Sequence, residues 1–108
     1  MFVAIYTTFG SLDEAKAFGR LLIEKKLAAC VNLIHDVHSI YRWKGKIEET
    51  TEIILWGKTQ DFLIEKIQAM IQESHPYDLP ALVVYPIHFG NEAYLKWISE
   101  ETQALHIN

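Results

Sequence analysis

Hydrophobic positions along the chain form two kinds of run, and their alternation predicts the order of elements. The segments "MFVAIYTTF", "LAACVNLI" and "PALVVYPIHF" are short, continuous and rich in β-branched or aromatic residues, as buried strands are. The segments "SLDEAKAFGRLLIEKK", "QDFLIEKIQAMIQES" and "EAYLKWISEETQAL" instead repeat apolar residues every three or four positions, which indicates amphipathic helices. With "KIEETTEIILWGK" as a further strand, the predicted order is β-α-β-β-α-β-α.

Polar residues mark where the first two helices begin and end. Ser11 followed by Glu14 is a capping-box pattern, so the first helix is predicted to start there. Thr59 is predicted to cap the second helix. That helix must end near Ser74, because the residue before Pro76 disfavours helical geometry. The helical residues predicted to face the core are Ala15, Phe18, Leu22, Leu63, Ile67, Met70, Ile71, Leu95, Ile98 and Leu105.

The second strand continues into "HDVHSIYRW" and is predicted to form a long hairpin with the third strand. Lys44-Gly45 suits a two-residue turn, since glycine readily takes a positive φ. A bulge is expected near His35-Asp36, because so long a strand rarely runs straight. The register follows from the turn: Trp43 faces Lys46, Arg42 faces Ile47 and Tyr41 faces Glu48.

The element order predicts an α+β fold with helices on one face of an antiparallel sheet. It fits a ferredoxin-like βαββαβ sandwich with an extended hairpin between the second and third strands and an extra C-terminal helix. Right-handed crossovers would place the first and third strands in the middle of the sheet. A length of 108 residues suits one core, so residues 1–108 are predicted to form a single domain.

The outer part of the hairpin has neither a clean apolar face nor a clean polar face. Tyr41 and Trp43 share one face with charged residues, and Ile40 and Ile47 share the other face with charged residues. Large aromatics beside charges are typical of an interface rather than a core. We therefore expect the hairpin to pack on neighbouring subunits. The alternative is a flexible, solvated hairpin.

Charge and cysteine content narrow the classes of partner and compartment. The formal net charge is −4, which argues against nucleic acid as the main partner, since phosphate binding needs a basic face. The single cysteine, Cys30, cannot form an internal disulfide, which suits a reducing cytoplasm. No apolar run approaches the roughly 20 residues that span a bilayer, and the first residues lack the features of a signal peptide. A cytoplasmic protein without a membrane anchor is therefore expected.

Several segments of the chain resemble a known family. The segments "KLAACVN", "SIYRWKGKIEETTE", "GKT", "HPYDLPAL" and "GNEAYLKWI" occur in the order and spacing of CutA-type divalent-cation tolerance proteins. The resemblance covers nearly the whole chain and implies a ferredoxin-like subunit, a homotrimer similar to the PII signalling proteins, and cytoplasmic residence. It also implies a role in tolerance to copper and other divalent metals, with no established reaction. The family's trimers join their subunits through the long strands, in line with the mixed faces of this hairpin.

His75 is the leading candidate metal ligand, because imidazole suits copper and zinc and Pro76 would fix its backbone. Some family members carry two adjacent histidines here, and some carry a cysteine near the end of the first strand. This chain has Ser74 and the run "YTT" at those places. The alternative is that His75 caps the end of the second helix. Cys30 is a second metal candidate, although a cysteine in an apolar strand usually packs as a small hydrophobe. No cofactor beyond a divalent cation such as copper or zinc is predicted.

A cleft between subunits is the second candidate site. Ligands often bind at strand ends and at the loops that follow them, and Lys58, Tyr77 and Trp97 are predicted to occupy such positions. Together with Tyr41, Trp43 and Glu52 from a neighbouring subunit, they would line a cleft for a small anion or metabolite. The alternative is that these residues serve interface packing and salt bridges.

The other histidines form no strong ligand pattern. On an extended strand His35 and His38 point to opposite faces, and only Asp36 and His38 share one. Surface polar residues are therefore the favoured interpretation. His88 and His106 each stand alone.

The sequence has no recognisable catalytic constellation. Cys30 has no evident activating base, and no phosphate-binding loop is present, so the chain is not predicted to be an enzyme. One predicted function is a homotrimeric protein of divalent metal binding and tolerance, of copper type, with His75 as a ligand. The other is a PII-like small-molecule sensor or signalling scaffold that binds its ligand at the inter-subunit cleft.

Overall fold

Within residues 1–105, which the computed structural model describes, four antiparallel strands form one sheet, accompanied by three α-helices. The elements are β1 (Phe2–Phe9), α1 (Leu12–Glu24), β2 (Cys30–Trp43), β3 (Lys46–Gln60), a 3₁₀ turn (Asp61–Leu63), α2 (Ile64–Ser74), β4 (Val83–Pro86) and α3 (Glu92–Glu101). The strand order is β2-β3-β1-β4, so β1 and β3 lie in the middle, as predicted. This confirms the ferredoxin-like arrangement with an added C-terminal helix.

The core lies between the sheet and the helices α1 and α2. Strand alternation turns every second residue of β1 and β3 towards the helices. α1 approaches the sheet closely at Gly19, where an added Cβ would lie 2.9 Å from Cγ2 of Val31. The buried residues of this core are Ile5, Phe9, Ala15, Phe18, Leu22, Leu27, Ala28, Ile53, Leu55, Leu63, Ile67, Met70 and Ile71. The predicted apolar faces of α1 and α2 are therefore confirmed.

The start of α1 matches the prediction, and the start of α2 does not. Ser11 is the N-cap of α1, and its Oγ accepts a 3.1 Å hydrogen bond from the backbone N–H of Glu14. Thr59 does not cap α2, because it still belongs to β3 and its Oγ1 donates a 2.6 Å hydrogen bond to the carbonyl oxygen of Leu27. The chain enters α2 through the 3₁₀ turn instead, without a side-chain cap.

The long hairpin has the predicted turn, register and bulge. Lys44 and Gly45 form the turn with φ values of 50° and 80°, the left-handed region that such tight hairpin turns require. The pairs of Trp43 with Lys46, Arg42 with Ile47 and Tyr41 with Glu48 are present. The register shifts between Ile34 and Val37, where Asp36 has a φ of 56°. The bulge near residues 35 and 36 is thus confirmed.

The outer half of the hairpin has an unpaired edge. β1 pairs with β3 only from Ile53 to Gln60. Between Lys46 and Glu52, β3 is therefore paired with β2 alone. Because an unpaired strand edge is a template for another strand, this edge can accept a further chain.

β4 and α3 are shorter than the sequence predicts. The predicted strand from Pro80 to Phe89 is reduced to Val83–Pro86, and these four residues are exposed rather than buried. β4 is an edge strand that pairs only with β1, and the prolines at 80 and 86 have no N–H to extend the ladder. The second predicted strand likewise begins three residues late, because the buried residues 27–29 form a loop before β2.

The predicted last helix to Leu105 ends at Glu101 instead. Thr102 turns back and donates its Oγ1 hydrogen to the carbonyl oxygen of Ile98. The backbone N–H and the side chain of Gln103 then bond the carbonyl oxygens of Lys26 and Lys25. Of the residues predicted to face the core, Ile98 is buried and Leu105 is 59% exposed. The prediction for His106 lies outside the described residues.

Candidate functional site

His75 is held by two hydrogen bonds that use both of its ring nitrogens. It follows α2 directly, in the extended conformation that Pro76 imposes. The backbone N–H of Tyr77 donates to Nδ1 at 3.1 Å, so the ring hydrogen lies on Nε2, which donates to the carbonyl oxygen of Thr8 at 2.8 Å. The ring also stacks on Phe9, with 4.3 Å between centroids. A metal at His75 would have to displace one of these hydrogen bonds.

The environment of His75 favours its neutral form. Burial lowers the pKa of the imidazole from its ordinary value of 6.5, and this effect is larger than three opposing ones. Those three are the hydrogen bond to the carbonyl of Thr8 and the negative charges of Glu14 and Glu52. The imidazole is therefore neutral at pH 7, as its acceptor role towards Tyr77 requires.

Tyr77 connects the turn that contains His75 to a buried carboxylate. Its hydroxyl donates a 2.7 Å hydrogen bond to Oε2 of Glu52, which is only 8% exposed. Burial, followed by this hydrogen bond and the charge of Glu52, raises the pKa of Tyr77 well above its ordinary value of 10. The phenol thus keeps its hydrogen and donates it to Glu52. The hydroxyl also closes one wall of a cleft beside Gly10.

This cleft has a volume of about 600 Å³ and lies between the hairpin and the turn after α2. The hairpin contributes Tyr41, Trp43 and Glu52, the turn contributes Tyr77 to Leu79, and Thr8 forms the floor near the end of β1. The prediction assigned Tyr77 to one subunit and Glu52 to its neighbour. In the structure Tyr77 bonds Glu52 of the same chain, and Tyr41 and Trp43 line the same cleft.

Lys58 and Trp97 lie elsewhere, near the opposite end of β3. Lys58 pairs with Cys30 across the sheet, and its Nζ donates to Oδ1 of Asn32 at 2.7 Å. Cys30 Sγ lies 3.3 Å from the hydroxyl of Tyr94, which stacks on Trp97 with 5.6 Å between centroids. Within one chain, the predicted cleft set therefore divides into two separate groups.

Sequence reasoning missed two partners of these groups. Thr8 accepts the hydrogen bond of His75 although the two residues are 67 positions apart. Tyr94 contacts Cys30 across 64 positions. The only available signal for Thr8 was its place at the end of an apolar strand, where a backbone carbonyl meets the loop of another element.

The described part of the chain contains no cluster of three or more His, Cys, Asp and Glu side chains that could hold a metal ion. His35, Asp36 and His38 are exposed around the bulge and do not form one. Cys30 is half-buried beside Tyr94. Among the described residues, neither His75 nor Cys30 therefore belongs to a group of three such ligands. No helix within residues 1–105 is long and apolar enough to cross a membrane.

Comparison with known proteins places these features in a family. Residues 3–101 match the family model described as CutA1 divalent ion tolerance protein. The divalent-cation tolerance protein CutA of Pyrococcus horikoshii is 40% identical over 94% of this chain and 98% of its own length. A structure described as the periplasmic divalent cation tolerance protein CutA from Archaeoglobus fulgidus superimposes with a TM-score of 0.92 at 37% identity, covering 95% of this chain and all of the other.

The match covers only part of the length of each animal and plant relative. Protein CutA of Mus musculus is 39% identical over 94% of this chain, but the match covers only 58% of the mouse protein. The chain spans between 56% and 64% of the length of the animal and plant relatives that it matches. These names describe ion tolerance or the family itself rather than a reaction.

Proposed function

Because this chain belongs to the CutA1 divalent ion tolerance family, we propose that it acts in tolerance of divalent cations as a homotrimer. In this proposal it binds a copper-type cation, copper or zinc, at sites completed by neighbouring subunits. The observation that carries the assembly is the unpaired edge of β3 between Lys46 and Glu52. The number of subunits follows the resemblance of the sequence to the family.

The side chains around this edge favour assembly. Ile40 and Ile47 are 67% and 68% exposed on one face of the hairpin, and Tyr41 and Trp43 are exposed on the other face. A strand edge with large apolar side chains is an aggregation hazard unless another chain covers it. A closed ring of three hairpins would cover each unpaired β3 edge with a neighbour.

Metal binding between subunits agrees with the ligand content of one chain. Since residues 1–105 contain no group of three ligand side chains, a bound divalent cation would draw on more than one copy. His75 supports this role in one respect, because its lowered pKa keeps the imidazole in the neutral form that metals require. It opposes the role in another respect, because both ring nitrogens already make hydrogen bonds. Weak binding follows from that competition.

Calorimetric titration with copper(II) and zinc(II) tests the metal site. The wild-type protein is expected to bind saturably, and a double variant with Ile40→Lys and Ile47→Lys, which separates the subunits, is expected to lose binding. Ile23→Lys, which changes an exposed apolar residue of α1, is the matched control and retains binding. Equal binding by the separated chains contradicts a shared site. Binding that is unchanged by His75→Ala removes His75 from the ligands.

We also propose a cytoplasmic location, on the ground that the only cysteine has no partner for an internal disulfide. The relative from Archaeoglobus fulgidus is described as periplasmic, so fractionation of cells is the decisive measurement. Recovery of the protein outside the cytoplasm contradicts this proposal and leaves the others untouched.

The cleft supports a second function, a small-molecule sensor or signalling scaffold. Its volume of about 600 Å³ lies in the range of small-molecule sites, and it combines aromatic walls with a buried carboxylate. A thermal-shift screen of metabolites against the wild type tests this function. Hits that disappear when Tyr77 and Glu52 are changed support a sensor, and a screen without such hits contradicts it.

A further inference from the structure

Glu52 is a buried carboxylate without a cationic partner in the described part of the chain. Its side chain accepts a hydrogen bond from the neutral hydroxyl of Tyr77, and none of the ion pairs among residues 1–105 includes it. A buried charge is costly unless an opposite charge or several hydrogen bonds compensate it. Tyr77 satisfies one lone pair of Oε2 and leaves the other acceptor positions of Glu52 available. These acceptor positions can take hydrogen bonds from the N–H groups of a bound cation.

The walls around Glu52 match an organic cation better than a hard metal ion. Tyr41, Trp43 and Tyr77 line the cleft, and aromatic faces attract cations through their quadrupoles. The Trp43 ring already has the Nζ of Lys44 at 5.7 Å from its centroid. A hard divalent cation prefers six or more oxygen ligands, whereas this cleft offers one buried carboxylate and mostly apolar surface.

Besides Glu52, the charged groups that line the cleft are one carboxylate and one guanidinium. Asp78 adds a second carboxylate. Arg42 also lines the cleft, but it is exposed, and strand alternation directs its Cβ away from the face of Tyr41 and Trp43. Lys58, the cation that the sequence predicts in a cleft for a small anion or metabolite, is not among the lining residues.

We propose that the cleft binds a small organic molecule with a primary ammonium group, which donates hydrogen bonds to Glu52 while its apolar body lies between Tyr41, Trp43 and Tyr77. This inference rests on the second proposed function and specifies its class of ligand. A primary ammonium is chosen because it brings three N–H donors to acceptors that Tyr77 leaves free.

Titration with 2-phenylethylammonium, followed by ¹H–¹⁵N NMR, tests the proposal. The indole N–H of Trp43 and the backbone N–H of Tyr77 are expected to shift saturably, while the indole signals of Trp56 and Trp97 stay in place. Two probes of similar size, 2-phenylethanol and 3-phenylpropanoate, are expected to bind about tenfold more weakly or worse, the loss expected for one charge-assisted hydrogen bond.

Matched variants assign the effect to Glu52. Glu52→Gln is expected to weaken binding of the ammonium probe by about tenfold. Glu49→Gln, an exposed carboxylate on the opposite face of the same strand, is expected to leave it within about twofold. If Glu52→Gln fails to fold by circular dichroism, Trp43→Leu near the hairpin tip replaces it, with an expected loss of about fivefold.

Three results overturn the proposal: tighter binding of the alcohol or the carboxylate, an unchanged affinity in Glu52→Gln, or no saturable shift with the ammonium probe. Tighter binding of the alcohol or the carboxylate contradicts only the preference for ammonium and leaves the cleft as a ligand site. The absence of a saturable shift contradicts the ammonium ligand itself, and the wider metabolite screen then decides whether the sensor function stands.

Discussion

His75 illustrates how a single side chain takes its role from partners that sequence spacing does not reveal. The sequence predicts a histidine fixed beside a proline, and the structure agrees on that point. The sequence does not reveal that the ring forms hydrogen bonds with the carbonyl of Thr8 and the N–H of Tyr77, because the first contact joins residues far apart in the chain. The question of ligand or helix cap, which the sequence leaves open, depends on those contacts.

The neutral state of His75 links stability to pH. Its pKa is lowered in the folded protein, so the unfolded chain binds more protons just below the ordinary value of about 6.5. The stabilisation is present above about pH 6.5 and is lost as the pH falls from there through the lowered pKa. We expect the melting temperature of the wild type to exceed that of His75→Asn by more at about pH 8 than at about pH 5.

Asparagine is chosen because its side-chain oxygen can still accept the N–H of Tyr77 but does not titrate. His88→Asn, which changes an exposed histidine, is measured beside it as the matched control. If the difference in melting temperature between the wild type and His75→Asn stays constant or widens in acid, the neutral imidazole is not what stabilises the turn.

Two fully buried threonines provide a matched pair for hydrogen bonding. Thr7 and Thr59 have no exposed surface, but the hydroxyl of Thr7 has no hydrogen-bond partner, whereas that of Thr59 donates to Leu27. Replacing an unpaired buried hydroxyl by a methyl group removes its desolvation cost. We expect Thr7→Val to raise the free energy of unfolding by about 1 kcal/mol and Thr59→Val to lower it by about 1–3 kcal/mol. Denaturant titration measures both changes. Equal effects of the two substitutions would contradict an unpaired hydroxyl at Thr7 and a hydrogen-bonded one at Thr59.

At the scale of elements, the sequence predicts features that are determined by neighbouring residues. It does not predict features that depend on contacts between residues far apart in the chain. The turn at Lys44 and Gly45 sets the hairpin register by itself, so the register was predictable. The exposure of β4 was not predictable, because apolar composition alone does not reveal that Val83–Pro86 lies at an edge with a partner on one side only. Thr59 looked like a helix cap because nothing in the sequence reveals its bond to Leu27.

The N-terminus of α1 tests whether the local capping signal also stabilises the fold. Ser11 accepts the N–H of Glu14, one of the helix donors that otherwise lack a partner. We expect Ser11→Ala to lower the free energy of unfolding by about 1 kcal/mol, measured by denaturant titration. Ser99→Ala, at an exposed position within α3, should change it by less than about 0.5 kcal/mol. A loss no larger than that of Ser99→Ala would mean that the cap contributes nothing.

At the scale of the whole molecule, one chain leaves a strand edge and the apolar side chains around it uncovered. The outer edge of β3 is unpaired, and large apolar side chains of the hairpin are exposed around it. The sequence predicts such an interface from aromatics beside charges, and the open edge gives that prediction a structural basis. Which strand would pair with this edge could not be predicted, since that depends on contacts that no single chain contains.

The mass of the protein in solution at micromolar concentration tests the central claim most directly. Sedimentation or light scattering should give three times the 12.5 kDa of one chain for the wild type and for Ile23→Lys. The double variant with Ile40→Lys and Ile47→Lys should give the mass of one chain. A wild-type protein that stays at 12.5 kDa under these conditions would contradict assembly through the hairpin, and the shared metal site would then have no basis.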